Sequence, residues 1–237
     1  MNTYILSVKN SPRRNRFISF EHDYLFFDAV DVNVDDMKFF NKDKSYNRYL
    51  RDIRLNEISC TLSHVEMARL CLFNSSEWNL ILEDDAIFLG DFKSLKEKII
   101  YFKTDKPTIL ILGHSKTLPK FNKIQQLKQP LYDEFNIGDF IFGKKDINYC
   151  GTVSYLLNKG ASEIMSNIEE AYWVADDWKV IGSLGIDIFH IKESIIYEEI
   201  DGISTTGNKL HIRHDIYKKP FSNMLSIIFN QIKRFLK

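Results

Sequence analysis

Leu80-Ile81-Leu82-Glu83-Asp84-Asp85-Ala86-Ile87-Phe88 is the stretch on which the reading of this chain turns. Its first three residues have the apolar character of a buried strand, and a second apolar run begins at Ala86. Between them stand three consecutive carboxylates, which repel one another and must each be desolvated if the flanking runs are buried. A divalent cation relieves both costs. Strand alternation predicts that Glu83 and Asp85 point one way and Asp84 the other. Asp85 can then hold a hard metal through oxygen, while Glu83 supports it or meets a ligand hydroxyl. The competing reading is a solvated turn whose carboxylates face water.

Working back toward the N-terminus, Tyr4-Ile5-Leu6-Ser7-Val8 reads as a first buried strand running into Lys9, Ser11, Pro12, Arg13, Arg14 and Arg16. A strand that ends in a helix start is where α/β sheets bind ligands, outside the carboxyl ends of their strands. The basic residues there suit a diphosphate, or form a solvated helix start. Residues 25–31 read as a second strand whose acids, Asp28 and Asp31, either accept bonds from a ribose or base or cap the next segment. Residues 32–52 are polar and contain room for one short helix. From Asn56, a plausible N-cap, to Phe73 the spacing of Ile58, Leu62, Val65 and Leu72 predicts a helix. Glu57 and His64, seven apart, share one of its faces; a lone helical histidine is otherwise a structural residue.

Toward the C-terminus, residues 91–102 form an amphipathic helix and Thr108 to Leu112 a strand. Residues 115–147 make a long excursion with short strands around Phe140. Another strand is predicted over 151–157, then a helix over 161–170. Asp176 and Asp177 open a helix running to Leu184, as caps or as a second functional acid pair. Strands near 187–191 and 194–199 come next, and then a polar run over 201–208. The tail from Ile216 to Lys237 combines apolar residues with Lys218, Lys219, Lys233, Arg234 and Lys237 and has no acid after Asp215. That is either a basic amphipathic helix for a membrane surface or a C-terminal helix packed on the domain. The expected division is therefore 1–215 and 216–237.

Composition narrows the classes. With 44% hydrophobic residues a core can form, and 32 basic against 32 acidic residues give no argument for nucleic acid. The three cysteines, Cys60, Cys71 and Cys150, contain no CxxC. They fit a reducing cytosol and argue against a disulfide scaffold or a zinc cluster. The N-terminal apolar stretch is too short, and too soon succeeded by arginines, to be a signal peptide. No window approaches the roughly 20 apolar residues that span a bilayer.

Taken in order, the segments resemble glycosyltransferase family 25, the lipooligosaccharide (lipopolysaccharide) galactosyltransferases. The resemblance runs from residue 3 to about 206. It rests on Ser7-Val8-Lys9-Asn10-Ser11 with Arg13-Arg14, on Phe27-Asp28-Ala29-Val30-Asp31, and on residues 56–64 ending in Leu62-Ser63-His64. Leu80 to Asp85, Gly151-Thr152-Val153-Ser154-Tyr155 and Ala175-Asp176-Asp177-Trp178 complete it. Asn56 stands where the family more often has Gly.

The resemblance implies an α/β, GT-A-like single domain with a mostly parallel central sheet flanked by helices. It implies a UDP-sugar donor, typically UDP-galactose, and a divalent metal, Mn²⁺ or Mg²⁺, at Asp85 with Glu83 or Asp84 helping. Lys9, Arg13, Arg14 and Asp28 would serve the nucleotide side, with Glu57, His64, His211 and His214 as further donor or metal contacts. Inversion at the anomeric carbon requires a general base, for which Asp176 and Asp177 are the candidates, and Trp178 offers a stacking face for an acceptor sugar. The acceptor would be a lipooligosaccharide reached at the cytoplasmic membrane surface, where the tail holds a cytoplasmic, peripheral enzyme. Glucose or N-acetylhexosamine transfer, a non-catalytic nucleotide-sugar-binding relative and a metal-dependent phosphohydrolase are the competing readings.

Overall fold

Continuous apolar runs along the central strands dictate two cores, because a strand buried on both faces needs cover on both. The computed structural model describes residues 1–20, 23–32, 36–115, 118–199 and 220–236. Its strands are β1 (Asn2–Ser7), β2 (Leu25–Asp28), β3 (Trp78–Glu83), β4 (Ala86–Phe88), β5 (Thr108–Ile111), β6 (Gly113–His114), β7 (Tyr132–Ile137), β8 (Phe140–Lys144), β9 (Ser154–Asn158), β10 (Asp187–Ile191) and β11 (Ile196–Glu198). The helices are α1 (Lys42–Tyr49), α2 (Leu55–Leu72), α3 (Phe92–Ile99), α4 (Asn122–Lys128), α5 (Lys159–Ser166), α6 (Trp178–Ser183) and α7 (Pro220–Phe235). Eight strands form one sheet in the order β2-β1-β3-β9-β5-β10-β8-β7, and β4, β11 and β6 form a second, smaller one.

Tyr4, Leu6, Ile81, Ile109, Tyr155 and Leu157 face one core, shared with α2, α5 and α6. Ile5, Leu80, Leu82, Leu110 and Leu156 face the other, covered by Phe92, Leu95 and Ile99 of α3. The result is an α/β domain with helices on both faces of its sheet.

The sheet is mixed, not mostly parallel. β1 pairs in parallel with β2 and β3, and β10 with β5. β9, however, lies antiparallel between β3 and β5, and β8 runs antiparallel to β10 and β7. The physical reason is the excursion after β5. It folds as α4 and the β7–β8 hairpin, so the chain returns to the sheet without the crossover helix that a parallel strand needs.

Helix α2 begins two residues before the expected cap. Arg54 is its N-cap, and the Glu57 carboxylate accepts the Arg54 backbone N–H at 3.1 Å. Helix α7 packs on α4: Asn230 Nδ2 donates to the Lys128 carbonyl at 2.7 Å and Gln231 Nε2 to that of Leu127 at 2.9 Å. Its Lys233 pairs with Asp146 and its Arg234 with Glu134, so two of the tail's cations are spent on acids of the domain. The expected boundary at 215/216, the polar run 201–208, His211 and His214 lie outside the described residues.

Candidate active site

β3 ends at Glu83, and Asp84 and Asp85 form the turn that leads into β4. Strand alternation therefore stops applying at Glu83, and the triplet divides differently from the sequence expectation. Glu83 accepts a hydrogen bond from the Thr152 hydroxyl, and its Oε1 lies 3.6 Å from His64 Nε2. Asp84 and Asp85 instead share Arg13, whose Nη1 is 3.5 Å from Asp84 Oδ1 and 3.4 Å from Asp85 Oδ2.

The β1 end builds the other wall. The Ser7 hydroxyl donates to Asp84 Oδ2 at 2.7 Å and the Ser11 hydroxyl to the same oxygen at 3.1 Å. Asn10, with φ of 61°, turns the chain after β1, and Ser11 caps the 3-10 helix Pro12–Ser19 that carries Arg13, Arg14 and Arg16. Asp84 is thus satisfied by two hydroxyls and a guanidinium. Asp85 is not: its Oδ1 is buried and meets no hydrogen-bond donor among the described residues. Burial, the neighbouring Glu83 and Glu198 push its carboxyl up to about 8, against the opposing pull of Arg13. A buried carboxylate with an orphaned oxygen and adjacent acids is a group in need of a cation, and its hard oxygen donor suits Mn²⁺ or Mg²⁺.

The remaining expected donor residues fall in two groups. Arg14 donates through Nη2 to the Ser7 carbonyl at 3.2 Å and pairs with Asp28, and its guanidinium lies 4.7 Å from the centre of the Phe26 ring. Lys9 is exposed beside them. Glu57 lies elsewhere in purpose: Arg51 grips it at 2.8 and 2.6 Å, and it caps α2. His64 is buried in α2, with Nδ1 2.9 Å from the Tyr155 hydroxyl. Cys60, His64 and Glu83 present donor atoms all within 4.8 Å of one another.

Asp176 and Asp177, adjacent in sequence, have opposite surroundings. Asp177 is 0% exposed. It accepts from Arg48 Nε at 2.6 Å and Nη2 at 2.9 Å, from the Tyr49 hydroxyl at 2.6 Å, and from the Val180 N–H at 3.3 Å as the N-cap of α6. All its acceptor capacity toward protein is used structurally. Asp176 is half-buried, and its Oδ2 accepts the Gly151 N–H at 3.0 Å. Gly151 precedes the Thr152 that holds Glu83, so one dipeptide links Asp176 to the acidic turn. Gly151 has φ of +80°, a conformation open to glycine. A Cβ there would fall 1.7 Å from Ser115 Oγ. Trp178, read as a stacking face, is 4% exposed, packs edge-on against Tyr155 with ring centres 5.4 Å apart, and donates to the Gly151 carbonyl. It is a core residue and offers no face to a sugar.

Sequence reasoning missed Ser7, Ser11 as an Asp84 partner, Thr152, and the Arg48–Tyr49 pair. The serines stood in a quoted motif, but Arg48 and Tyr49 carried no signal.

An α/β domain with a carboxylate turn at the end of a central strand, facing a basic helix start across β1, is the architecture of a ligand-binding site at strand carboxyl ends. The family model described as Glycosyltransferase family 25 (LPS biosynthesis protein) matches residues 1–179, and the chain belongs to that family. It is a glycosyltransferase of lipopolysaccharide biosynthesis. No curated protein sequence matches it. Among solved structures, A197 from STIV aligns at 14% identity and a TM-score of 0.40, over 85% of this chain and 87% of its own. The inositol-1-phosphate CTP transferase from T. maritima aligns at 14% identity and a TM-score of 0.38, over 96% of this chain and 77% of its own. Likenesses this distant carry no argument about this chain's substrate.

Proposed function

We propose that this glycosyltransferase moves galactose in β-linkage from UDP-galactose to a sugar hydroxyl of a lipooligosaccharide, with inversion at the anomeric carbon. The observation that carries a nucleotide-diphosphate donor is the Asp85 carboxylate, buried with an orphaned oxygen beside Arg13 at the carboxyl ends of β1 and β3. Asp85, with Glu83 beside it, would hold Mn²⁺ or Mg²⁺, which when bound supplies Lewis-acid neutralisation of a leaving diphosphate. Asp84 orients Ser7, Ser11 and Arg13 around that site. Arg13, Arg14 and Lys9 give the nucleotide side its positive charge. The galactosyl donor and the inverting course rest on the family resemblance.

Inversion by single displacement needs one base on the acceptor side. Asp176 fits that role: it is reachable from solvent, and the Gly151 N–H fixes its orientation. Asp177 is committed to Arg48 and Tyr49 and acts through position alone.

The acceptor is lipid-linked in this reading, so the enzyme works as a peripheral protein on the cytoplasmic membrane surface. Support comes from α7, which turns Leu225, Ile228, Phe229 and Ile232 outward, each about half exposed or more. No helix among the described residues is long and apolar enough to cross a membrane.

The test is UDP release from a panel of UDP-sugars on a truncated lipooligosaccharide, with and without Mn²⁺. Metal-dependent release with UDP-galactose is expected. Release with UDP-glucose or a UDP-N-acetylhexosamine alone would reassign the donor. UDP binding without turnover on any acceptor would make the chain a nucleotide-sugar-binding relative.

A further inference from the structure

Cys150, the residue before the Gly151–Thr152 dipeptide, belongs to a second cluster that the transfer reaction does not use. His114 at the end of β6, His190 on β10 and Cys150 are all buried, and their donor atoms lie within 4.8 Å of one another. The two imidazole rings have centres 5.9 Å apart. Three chain segments 36 to 76 residues apart in sequence thus converge on one point. His190 is 3% exposed, and its Nδ1 has no hydrogen-bond partner among the described residues. A polar atom stranded in that way costs free energy that a ligated metal would recover. Gln125 Nε2 lies 3.5 Å from His114 Nδ1, the kind of contact that fixes the orientation of a ligating ring.

We infer that His114, Cys150 and His190 form a zinc site, separate from the acidic turn. Two imidazoles and a thiolate are a borderline-soft donor set that suits Zn²⁺, whereas Mn²⁺ and Mg²⁺ prefer carboxylate oxygens. Zinc–nitrogen and zinc–sulfur bonds of about 2.0 to 2.3 Å place tetrahedral donors about 3.4 to 3.7 Å apart. An inward shift of about an ångström would close the cluster. Binding forms two Zn–N bonds and one Zn–S bond, and the Cys150 thiol proton leaves to solvent. The fourth position falls to water. Filled, the site would pin β6, the 150–152 segment and β10 together, and so steady the backbone that holds Asp176 and Glu83.

Because the trio is buried, the metal must enter as the chain folds, so the protein is produced in medium supplemented with Zn²⁺ or with Co²⁺ and washed with a chelator. About one equivalent of zinc per chain is expected. The cobalt form should show thiolate-to-cobalt charge transfer and tetrahedral visible bands. Both should persist in Asp85→Asn, which removes the acidic-turn ligand, and in Cys60→Ser, which removes the thiol near His64. The charge-transfer band should vanish in Cys150→Ser, and metal content should fall at least tenfold in His190→Gln. Wild-type protein that carries neither zinc nor cobalt overturns the inference, whatever the variants do. So does a band that survives Cys150→Ser or is lost in Cys60→Ser. Failure of the UDP-release assay leaves this result untouched, since metal content and spectrum are read without turnover.

Discussion

Replacing Asp177 with alanine separates the two adjacent carboxylates of the 176–177 pair. The side chain is fully buried and accepts five hydrogen bonds, from Arg48 twice, from the Tyr49 and Tyr149 hydroxyls and from the Val180 N–H. Its removal strands a guanidinium, two phenols and a helix N-terminal amide. Breaking a buried ion pair from one side costs about 3–5 kcal/mol. Arg48 is 30% exposed, so water reaches the stranded cation and about 3 kcal/mol applies. Loss of the α6 cap adds about 1 kcal/mol. A total near 4 kcal/mol, at about 2–4 °C per kcal/mol for a domain of this size, lowers the thermal midpoint by about 8–16 °C. The assay is thermal and urea denaturation monitored by circular dichroism, beside UDP release at a temperature where the variant is folded. Asp177→Ala should unfold early yet retain measurable turnover at low temperature, whereas Asp176→Asn should keep the wild-type midpoint and lose turnover. An Asp177→Ala protein of wild-type stability that has lost turnover would refute the assignment of its carboxylate to Arg48 and Tyr49.

Asp176→Asn keeps an acceptor for the Gly151 N–H and removes only the base, so kcat should drop about 10²- to 10⁴-fold, checked by steady-state kinetics. Asp85→Asn should abolish the Mn²⁺-dependent rise in thermal midpoint measured by scanning fluorimetry. The Asp85 carboxyl is raised to about 8 in the fold, against about 3.9 in an unfolded chain. Its contribution to stability is therefore full below about pH 4 and is lost as pH rises toward 8; metal-free protein should lose stability from pH 5.5 to 8.5, and Asp85→Asn should flatten that slope in urea titrations. Gly151→Ala places a methyl group against Ser115 and forces a left-handed residue, so it should destabilise by about 2 kcal/mol or more, read from the urea midpoint. Deleting residues 220–236 breaks two exposed ion pairs worth at most about 1 kcal/mol each; co-sedimentation with anionic vesicles should be lost while turnover on a soluble acceptor persists.

Local patterns carried much of the architecture. The runs read as strands at 4–8, 80–82, 108–112 and 151–157 hold β1, β3, β5 and β9 with their ends shifted by one to four residues, and the 3.6-residue spacing from Ile58 to Leu72 became α2. Each of these signals lies within one element, where side-chain period and burial are tied together by backbone geometry. The acidic turn was legible for the same reason, since three carboxylates after a buried run announce their own cost. Strand direction was not legible: β9 enters antiparallel between β3 and β5 because of how residues 112–153 fold, and no period in β9 itself records that.

The central strands, the long helix α2 and the family were thus readable along the chain. How the charges are partnered was settled only by packing. Asp84 is satisfied from the end of β1 and the 3-10 helix start that follows it, 71 to 77 residues away, and Asp177 from α1, 128 to 129 residues away. The cysteine count argued against a zinc cluster because cysteine-based sites are read from short spacings, whereas His114, Cys150 and His190 meet only through sheet topology. Period and composition act over a turn or a strand; the pairing of a buried charge is fixed by whichever distant segment the fold delivers to it, and that information resides in tertiary contacts rather than in any local run of residues.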